Sequence, residues 1–249
     1  MDPTAPDFWV LAAIVGGAFA IEATSGFGAT ILIVTFGAHL FPITTLLPVI
    51  VPLGLVLSIS LAWRNRVHVD RRLVVRRILP LMGLGVAIGL AIFERASNDG
   101  LRRALGCFVV GVALAELWRM RLAAGPMHAP RPLPPMATRA ALLGAGVIHG
   151  LFSSGGPLLV YALGRLPIEK RAFRATLSAV WVVLASALTL AYAWQGRVGP
   201  ESLLATAALL PVLATAFVVG DWAHHRLDEA TFRVLIYLLL IVAGLSNAF

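Results

Sequence analysis

The sequence predicts an all-α polytopic membrane protein made of two inverted-topology repeats, and three observations support this prediction. Of the 249 residues, 59% are hydrophobic and 13% are charged, whereas about a quarter of the residues in a soluble domain are charged. The apolar runs are joined by polar loops too short to hold a soluble domain. Two runs are interrupted by small residues, at corresponding places in the two halves of the chain.

The first repeat, residues 1–121, is predicted to contain a broken, re-entrant-like helical hairpin followed by three transmembrane helices. Each half of the hairpin is near or below the roughly 17 residues that cross a bilayer, so the two halves pair around the break. Pro48 and Pro52 are expected to kink the first full span. The predicted segments are, in chain order, 8–22, 28–41, 44–63, 78–93 and 104–118.

A Pro-rich cytoplasmic linker, residues 122–138, leads to the second repeat, residues 139–249, which has the same order of segments. If each hairpin returns to the side it came from, three further spans give each repeat an odd number of crossings. The second repeat then enters the membrane inverted, and the chain has about eight to ten membrane segments in all. The predicted segments are 139–152, 158–164, 175–194, 203–220 and 234–248.

Loop charge predicts the orientation in a bacterial inner membrane. Loops rich in Arg are expected on the cytoplasmic side, which places both termini outside, on the periplasmic side. The loop over 94–103, with three Arg, fits this arrangement poorly. Five of the six Trp lie at predicted span ends, as in an aromatic belt. The loops predicted inside are 64–77, 119–139, 165–174 and 221–233.

Composition also excludes several classes of function. The net charge of +8 follows the loops, and no aromatic-basic stripe accompanies it, so we expect no nucleic-acid partner. The single Cys107 excludes an intramolecular disulfide. No Walker A loop occurs, so direct use of ATP is not expected. We expect no cofactor and no metal site.

The two breaks are the candidate site. In a bilayer, a break in helical hydrogen bonding is tolerated only where protein or a water-filled cavity covers it. The N-termini of half-helices present free N–H groups and a positive dipole end, which suit an anion. The alternative is that the small residues only allow close helix packing. The predicted substrate-binding residues are Ser25, Gly26, Phe27, Gly28, Ala29, Thr30, Ser153, Ser154, Gly155, Gly156 and Pro157.

Alignment of Gly28 with Gly155 places Glu22 opposite His149, about one turn before each break. A carboxyl group inside a membrane segment is costly, and histidine changes protonation near neutral pH. We therefore expect this pair to carry a coupling proton, with Glu22 protonated while an anion occupies the site. The alternatives are that Glu22 caps or pairs locally and that His149 is a hydrogen-bonded core residue.

Two further side chains have simpler interpretations. Trp181 lies inside a predicted span, where it either lines the pathway or faces lipid. Glu116 is close to a span end, where an interfacial ion pair with Arg119 accounts for it.

At the two breaks the chain resembles the TauE/SafE family of permeases, the sulfite exporter and 4-toluene sulfonate uptake group. The resemblance covers residues 10–248 and rests on SGFGA at 25–29, SSGGPLLVYAL at 153–163 and FRATLSA at 173–179. It implies a membrane transporter of sulfite, organosulfur compounds or small organic acids.

We therefore predict a secondary transporter, not an enzyme, that moves a small organic or sulfur-containing anion by alternating access coupled to protons. Sulfite, a sulfonate, a sulfoacetate-like compound and a carboxylate are the candidate substrates, and the lipid bilayer is the other partner. An anion channel is the first alternative. A membrane-embedded enzyme with Ser153 or Ser154 as nucleophile and His149 as base is the second, although the G-x-S-x-G elbow is absent. Oligomeric state and direction of transport stay open.

Overall fold

The structure, a computed structural model, describes residues 1–25, 28–123, 133–163, 168–223 and 229–249. Over this part of the chain every regular element is helical, which confirms the all-α prediction. A 3₁₀ turn (Arg66–His68) follows α3, and a π-helical turn (Val74–Ile78) joins α4 to α5. The helices are α1 (Pro6–Ser25), α2 (Ala29–Gly37), α3 (Ile43–Arg64), α4 (Arg71–Leu73), α5 (Leu79–Arg95), α6 (Asn98–Ala123), α7 (Pro135–Phe152), α8 (Gly156–Leu163), α9 (Lys170–Trp194), α10 (Pro200–Ala223) and α11 (Glu229–Ala248).

The lengths and surfaces of these helices are those of a multi-pass membrane protein. Large apolar side chains such as Leu84, Leu190 and Val218 point out of the bundle, where only lipid makes such a surface stable. The inverted relation of the halves, the number of segments and the side of the termini stay predictions. Within the described residues, the helical stretches long and apolar enough to cross a bilayer are Ile43–Arg64, Arg71–Arg95, Arg171–Trp194 and Pro200–Val219.

Both predicted breaks separate a long helix from a short one. The chain turns between α1 and α2 at Gly28, whose φ of 108° is a conformation that favours glycine. It turns between α7 and α8 at Ser153, with φ of 52°. With nine and eight residues, α2 and α8 are far shorter than the roughly 17 residues of a full span.

The helices that precede the breaks are longer than predicted. α1 begins at Pro6 and continues through Glu22 to Ser25, and α7 begins at Pro135. Pro135 is the first residue of its helix, a position where proline costs no hydrogen bond, so the Pro-rich pattern marked a helix start as well as a linker. Residues 124–132 of the predicted linker lie outside the described residues.

The poorly fitting loop over 94–103 is largely helical. Ser97 accepts a hydrogen bond from the amide of Gly100 at 3.1 Å and thereby caps α6, which starts at Asn98. The charged residues of this stretch, among them Asp99, extend a helix rather than form a loop. The charged residues mark where the apolar segment ends, whereas the Ser97 cap determines where α6 begins.

Helices of the two halves pack against each other in pairs. α3 lies against α9, α5 lies along α7, and α1 lies along α10. α6 and α11 form a further pair. Each long helix that precedes a break is therefore supported by a helix of the other half.

Glycines bring α5 and α7 into backbone contact. A Cβ atom added at Gly85 would lie 2.3 Å from the carbonyl oxygen of Leu143, and one at Gly89 would lie 2.2 Å from that of Val147. On the facing helix, a Cβ at Gly146 or Gly150 would meet α5 at 2.3 or 2.5 Å. In lipid, such small residues at a spacing of four let helices gain dispersion contacts that larger side chains would prevent.

We predict that Gly85→Ala lowers the melting temperature of the purified protein, because the new methyl group forces α5 away from α7. Overpacking of this kind costs about 1–3 kcal/mol. The matched control is Gly83→Ala on the same helix, where an added Cβ meets nothing within 4 Å. That variant should melt at or slightly above the wild-type temperature, because alanine is the better helix former. Equal melting of the two variants would contradict the proposed contact.

Candidate functional site

The two breaks face a common cavity. Its volume is about 40 Å³, and since about 10–15 Å³ on this measure holds one water molecule, it accommodates a few waters or one small anion. α3 and α9 supply the walls between the breaks. The lining residues are Glu22, Gly28, Thr30, Ile31, Ile50, Val51, Gly54, Ser58, His149, Ser153, Ser154, Gly156, Pro157, Trp181 and Ala185.

The cavity lies near the middle of the bundle. On α3, which spans Ile43–Arg64, the lining residues run from Ile50 to Ser58. On α9, which spans Lys170–Trp194, they are Trp181 and Ala185. Both sets are central in helices long enough to cross a bilayer, so the cavity is at the depth expected of a transport site.

At the first break, Glu22 caps the short helix. The backbone amide of Ala29 donates a hydrogen bond to Glu22 Oε2 at 2.7 Å. Glu22 is 8% exposed, and within the described part of the chain no cation pairs with it. The carboxyl group therefore interacts with the positive end of the α2 dipole, which is the local role that sequence analysis left open.

At the second break, the end of α7 and the start of α8 meet the cavity. The amide of Ser153 donates to the carbonyl of His149 at 2.7 Å, and Ser154 Oγ donates to the carbonyl of Phe152 at 2.9 Å. Gly156 and Pro157, the first residues of α8, line the cavity. The first turn of a helix has N–H groups with no intrahelical partner, so the positive end of α8 faces the cavity.

His149 is buried in the cavity wall without a hydrogen-bond partner. Its side chain is 3% exposed, and neither Nδ1 nor Nε2 has a partner among the described residues. The ring stacks on Trp181, with centroids 5.2 Å apart and planes inclined by 22°. A buried polar group without a partner is uncommon. Among the described residues His149 is therefore not a hydrogen-bonded core histidine, and Trp181 is buried in the cavity wall rather than facing lipid.

The structure places most of the predicted site residues at the cavity and two of them elsewhere. Ala29 is buried and contributes its amide to Glu22. Gly155 packs against α7, where a Cβ would lie 2.3 Å from the carbonyl oxygen of Ala145. Gly26, Phe27 and the side chain of Ser25 lie outside the described residues. The predicted residues at the cavity are Gly28, Thr30, Ser153, Ser154, Gly156 and Pro157, together with Glu22 and His149.

The contribution of α3 to the cavity was not predicted from the sequence. Gly54 and Ser58 line the cavity one turn apart, and Ser58 is a buried polar residue of this span. The signal was present, because a small and a polar residue at a spacing of four follow Pro48 and Pro52 in the same helix. The predicted interfacial pair is confirmed, with Arg119 Nη2 2.7 Å from Glu116 Oε2.

The geometry does not support serine chemistry. The imidazole of His149 makes no hydrogen bond to Ser153 or Ser154, and the hydroxyl of Ser154 is committed to a backbone carbonyl. A nucleophile and its base lie within hydrogen-bond reach of each other in such sites. Among the described residues no group of three potential metal ligands occurs either.

Comparisons with known proteins agree with a transporter. The family model described as "Sulfite exporter TauE/SafE" matches residues 9–247. The chain is 25% identical over 245 residues to a protein of Cupriavidus necator named "Probable sulfite/organosulfonate exporter TauE", an alignment that covers 95% of this chain and 91% of the relative. It is 28% identical over 170 residues to "Probable inner membrane transporter protein TsaS" of Comamonas testosteroni, with 68% of this chain and 69% of the relative covered.

No solved structure matches the chain. The family match spans nearly the whole sequence, and it describes a membrane transporter rather than an enzyme. The chain belongs to the TauE/SafE family.

Proposed function

We propose that this protein is a secondary permease that moves a small sulfur-containing anion across the bacterial inner membrane by alternating access, coupled to protons. The observation that carries the proposal is the central cavity at the two helix breaks, with the positive end of α8 and the unpartnered imidazole of His149 in its wall. Sulfite, a sulfonate or a sulfoacetate-like compound is the proposed substrate, and a small carboxylate is the next candidate.

The substrate class follows from the donors in the cavity and from its size. Hydroxyl groups, a ring N–H and helix N–H groups suit an oxyanion with several acceptor oxygens. The volume of about 40 Å³ suits a small head group. The relative from Cupriavidus necator is named for sulfite and organosulfonates, which have the same oxyanion chemistry.

The second break is the proposed anion-binding half of the site. Here the α8 N-terminus lines the cavity and the ring nitrogens of His149 have no hydrogen-bond partner among the described residues, whereas the α2 N-terminus is already occupied by the carboxyl group of Glu22. Trp181 holds the imidazole against the wall by stacking, so that a ring N–H can point at the substrate. Ser153 and Ser154 complete this half of the cavity.

Glu22 is the proposed proton-coupling residue. Within the described residues, Glu22 and His149 are the titratable side chains that line the cavity. A carboxylate and a substrate anion in one small cavity repel each other, and protonation of Glu22 removes that repulsion. Movement of a monoanion together with one proton is electroneutral, which avoids the cost of carrying net charge through the membrane centre.

The packing of the helices supports an inverted repeat. If α1 corresponds to α7 and α10 to α5, then the contact of α1 with α10 is equivalent to the contact of α7 with α5. In the same correspondence, α3 is equivalent to α9 and α6 to α11, so each of these two pairs joins a helix to its equivalent in the other half. Rocking of one repeat against the other around the central cavity would then expose the site to each side in turn.

We predict that sulfite or a sulfonate raises the melting temperature of the purified protein, because a ligand that binds only the folded state stabilises it by about 2.7 kcal/mol at 100 times its Kd. The panel also contains taurine, sulfate and small carboxylates. His149→Phe keeps a ring against Trp181 but removes both nitrogens, and it should lose most of the shift. His39→Phe alters an exposed histidine away from the cavity and should retain it.

A shift produced only by cationic or neutral compounds would refute an anionic substrate. An equal ligand-induced shift of the melting temperature in both histidine variants would show that His149 does not bind the anion. Flux that does not saturate with substrate and does not follow a second gradient would indicate the anion channel instead.

We predict that Glu22→Gln uncouples transport from protons. The glutamine carbonyl can still accept the hydrogen bond from Ala29, so the cap is retained, but the side chain no longer titrates. In proteoliposomes the variant should exchange labelled for unlabelled substrate yet fail to accumulate it in response to a pH gradient. Glu116→Gln, which removes a carboxylate at the interfacial ion pair, should accumulate substrate like the wild type. Accumulation by Glu22→Gln in a pH gradient would contradict the role of Glu22.

A further inference from the structure

A second group of buried polar atoms lies on α9, beyond the cavity. Thr189 Oγ1, Tyr192 Oη and Gln195 Oε1 have no hydrogen-bond partner within the described part of the chain. Tyr192 is fully buried, so its hydroxyl faces neither lipid nor bulk water in this structure. Orphaned polar atoms are uncommon in proteins, and three within two turns of one helix call for an explanation.

These atoms lie on the same side of α9 as the residues that line the cavity, but closer to its C-terminal end. At 3.6 residues per turn, Tyr192 and Gln195 follow Trp181 and Ala185 on the same side of the helix, with Thr189 at its edge. At about 1.5 Å per residue, Tyr192 is roughly 10 Å beyond Ala185 along the axis. The row therefore runs from the cavity to the end of α9 that loop charge predicts to be outside. Leu190, next to Thr189, points the other way and is 70% exposed.

A cluster of aromatic and charged side chains lies at the C-terminal end of α9, next to these polar atoms. The rings of Phe93 and Tyr192 lie 5.9 Å apart, inclined by 50°. The guanidinium of Arg197 lies 5.2 Å above the Phe93 ring. Gln195 Nε2 donates to Glu94 Oε1 at 2.5 Å, which links the end of α9 to the end of α5.

We propose that the face of α9 that begins at Trp181, together with Gln195 directly after the helix, lines the outer half of the translocation pathway, and that the contact between Phe93 and Tyr192 is its closed gate. This inference rests on the proposed function. When the two rings separate, the hydroxyls of Thr189 and Tyr192 donate to the passing oxyanion, and Arg197 supplies positive charge at the mouth. The same hydroxyls lack partners in the closed structure because their partner is the substrate or the water that follows it.

The test is cysteine accessibility in proteoliposomes. Cys107, the exposed native thiol, is first replaced by serine. Thr189→Cys should then react with a membrane-impermeant, anionic methanethiosulfonate added from the side of the termini. A saturating concentration of sulfoacetate, whose sulfonate group, unlike sulfite, does not attack the thiosulfonate reagent, should slow the reaction several-fold. Leu190→Cys, one residue away on the lipid side, should not react.

Two further variants keep the test decisive. Leu188→Cys probes the same buried face if Thr189→Cys does not fold. Tyr192→Phe keeps the ring contact with Phe93 and removes only the hydroxyl. It should lower the transport rate several-fold and leave the sulfite-induced melting shift unchanged, a separation that a purely structural role of the hydroxyl would not produce.

The outcomes separate this pathway from the proposed function. If the cysteine variants transport sulfite but stay unreactive from both sides, the pathway is refuted and the permease proposal stands. If Thr189→Cys reacts but no anion slows the reaction, and the wild type transports none, the permease proposal is refuted together with the gate.

Discussion

A helix break inside a bilayer leaves backbone N–H and C=O groups that lipid cannot satisfy, and the rest of this structure depends on how that constraint is met. Both breaks open onto one cavity, so a single space serves them both. α2 is buried along most of its length, against α1, α3 and α11. α3 and α9 cross the bundle between the breaks and complete the wall. The helices that cover the broken backbone are therefore also the helices that form the candidate site.

The two breaks are alike in sequence but differ in chemistry. Glu22 provides the chain's own acceptor for the α2 N-terminus, at 2.7 Å from the amide of Ala29. At the second break, neither ring nitrogen of His149 has a hydrogen-bond partner among the described residues, and the first residues of α8 line the cavity. The two breaks therefore present different chemical groups to the cavity.

The contacts around the site differ in how readily they can change. α5 and α7 touch backbone to backbone through Gly85, Gly89, Gly146 and Gly150, and no side chain there can rearrange to allow sliding. By contrast, the hydrogen bonds between α9 and the α4–α5 region are single ones, from the amide of Asp70 to Thr176 at one end and from Gln195 to Glu94 at the other, beside the ring contact of Tyr192 with Phe93. One hydrogen bond has a net value of about 1 kcal/mol, so the proposed alternating access would break these links at a small cost.

The sequence by itself determined the helical class, the two breaks and the pair Glu22 and His149, because hydropathy, glycine and an isolated charge are local signals that the bilayer makes strict. The ends of the helices were predicted poorly from the sequence, because local features determine them, such as the Ser97 cap of α6 and Pro135 in the first turn of α7. Only the tertiary structure decided that Gly155 packs against α7, that Glu22 caps α2, that Trp181 stacks on His149 and that Ser58 lines the cavity. Each of these facts depends on which helices become neighbours, and that choice is made by packing between segments far apart in the chain, which no local pattern encodes.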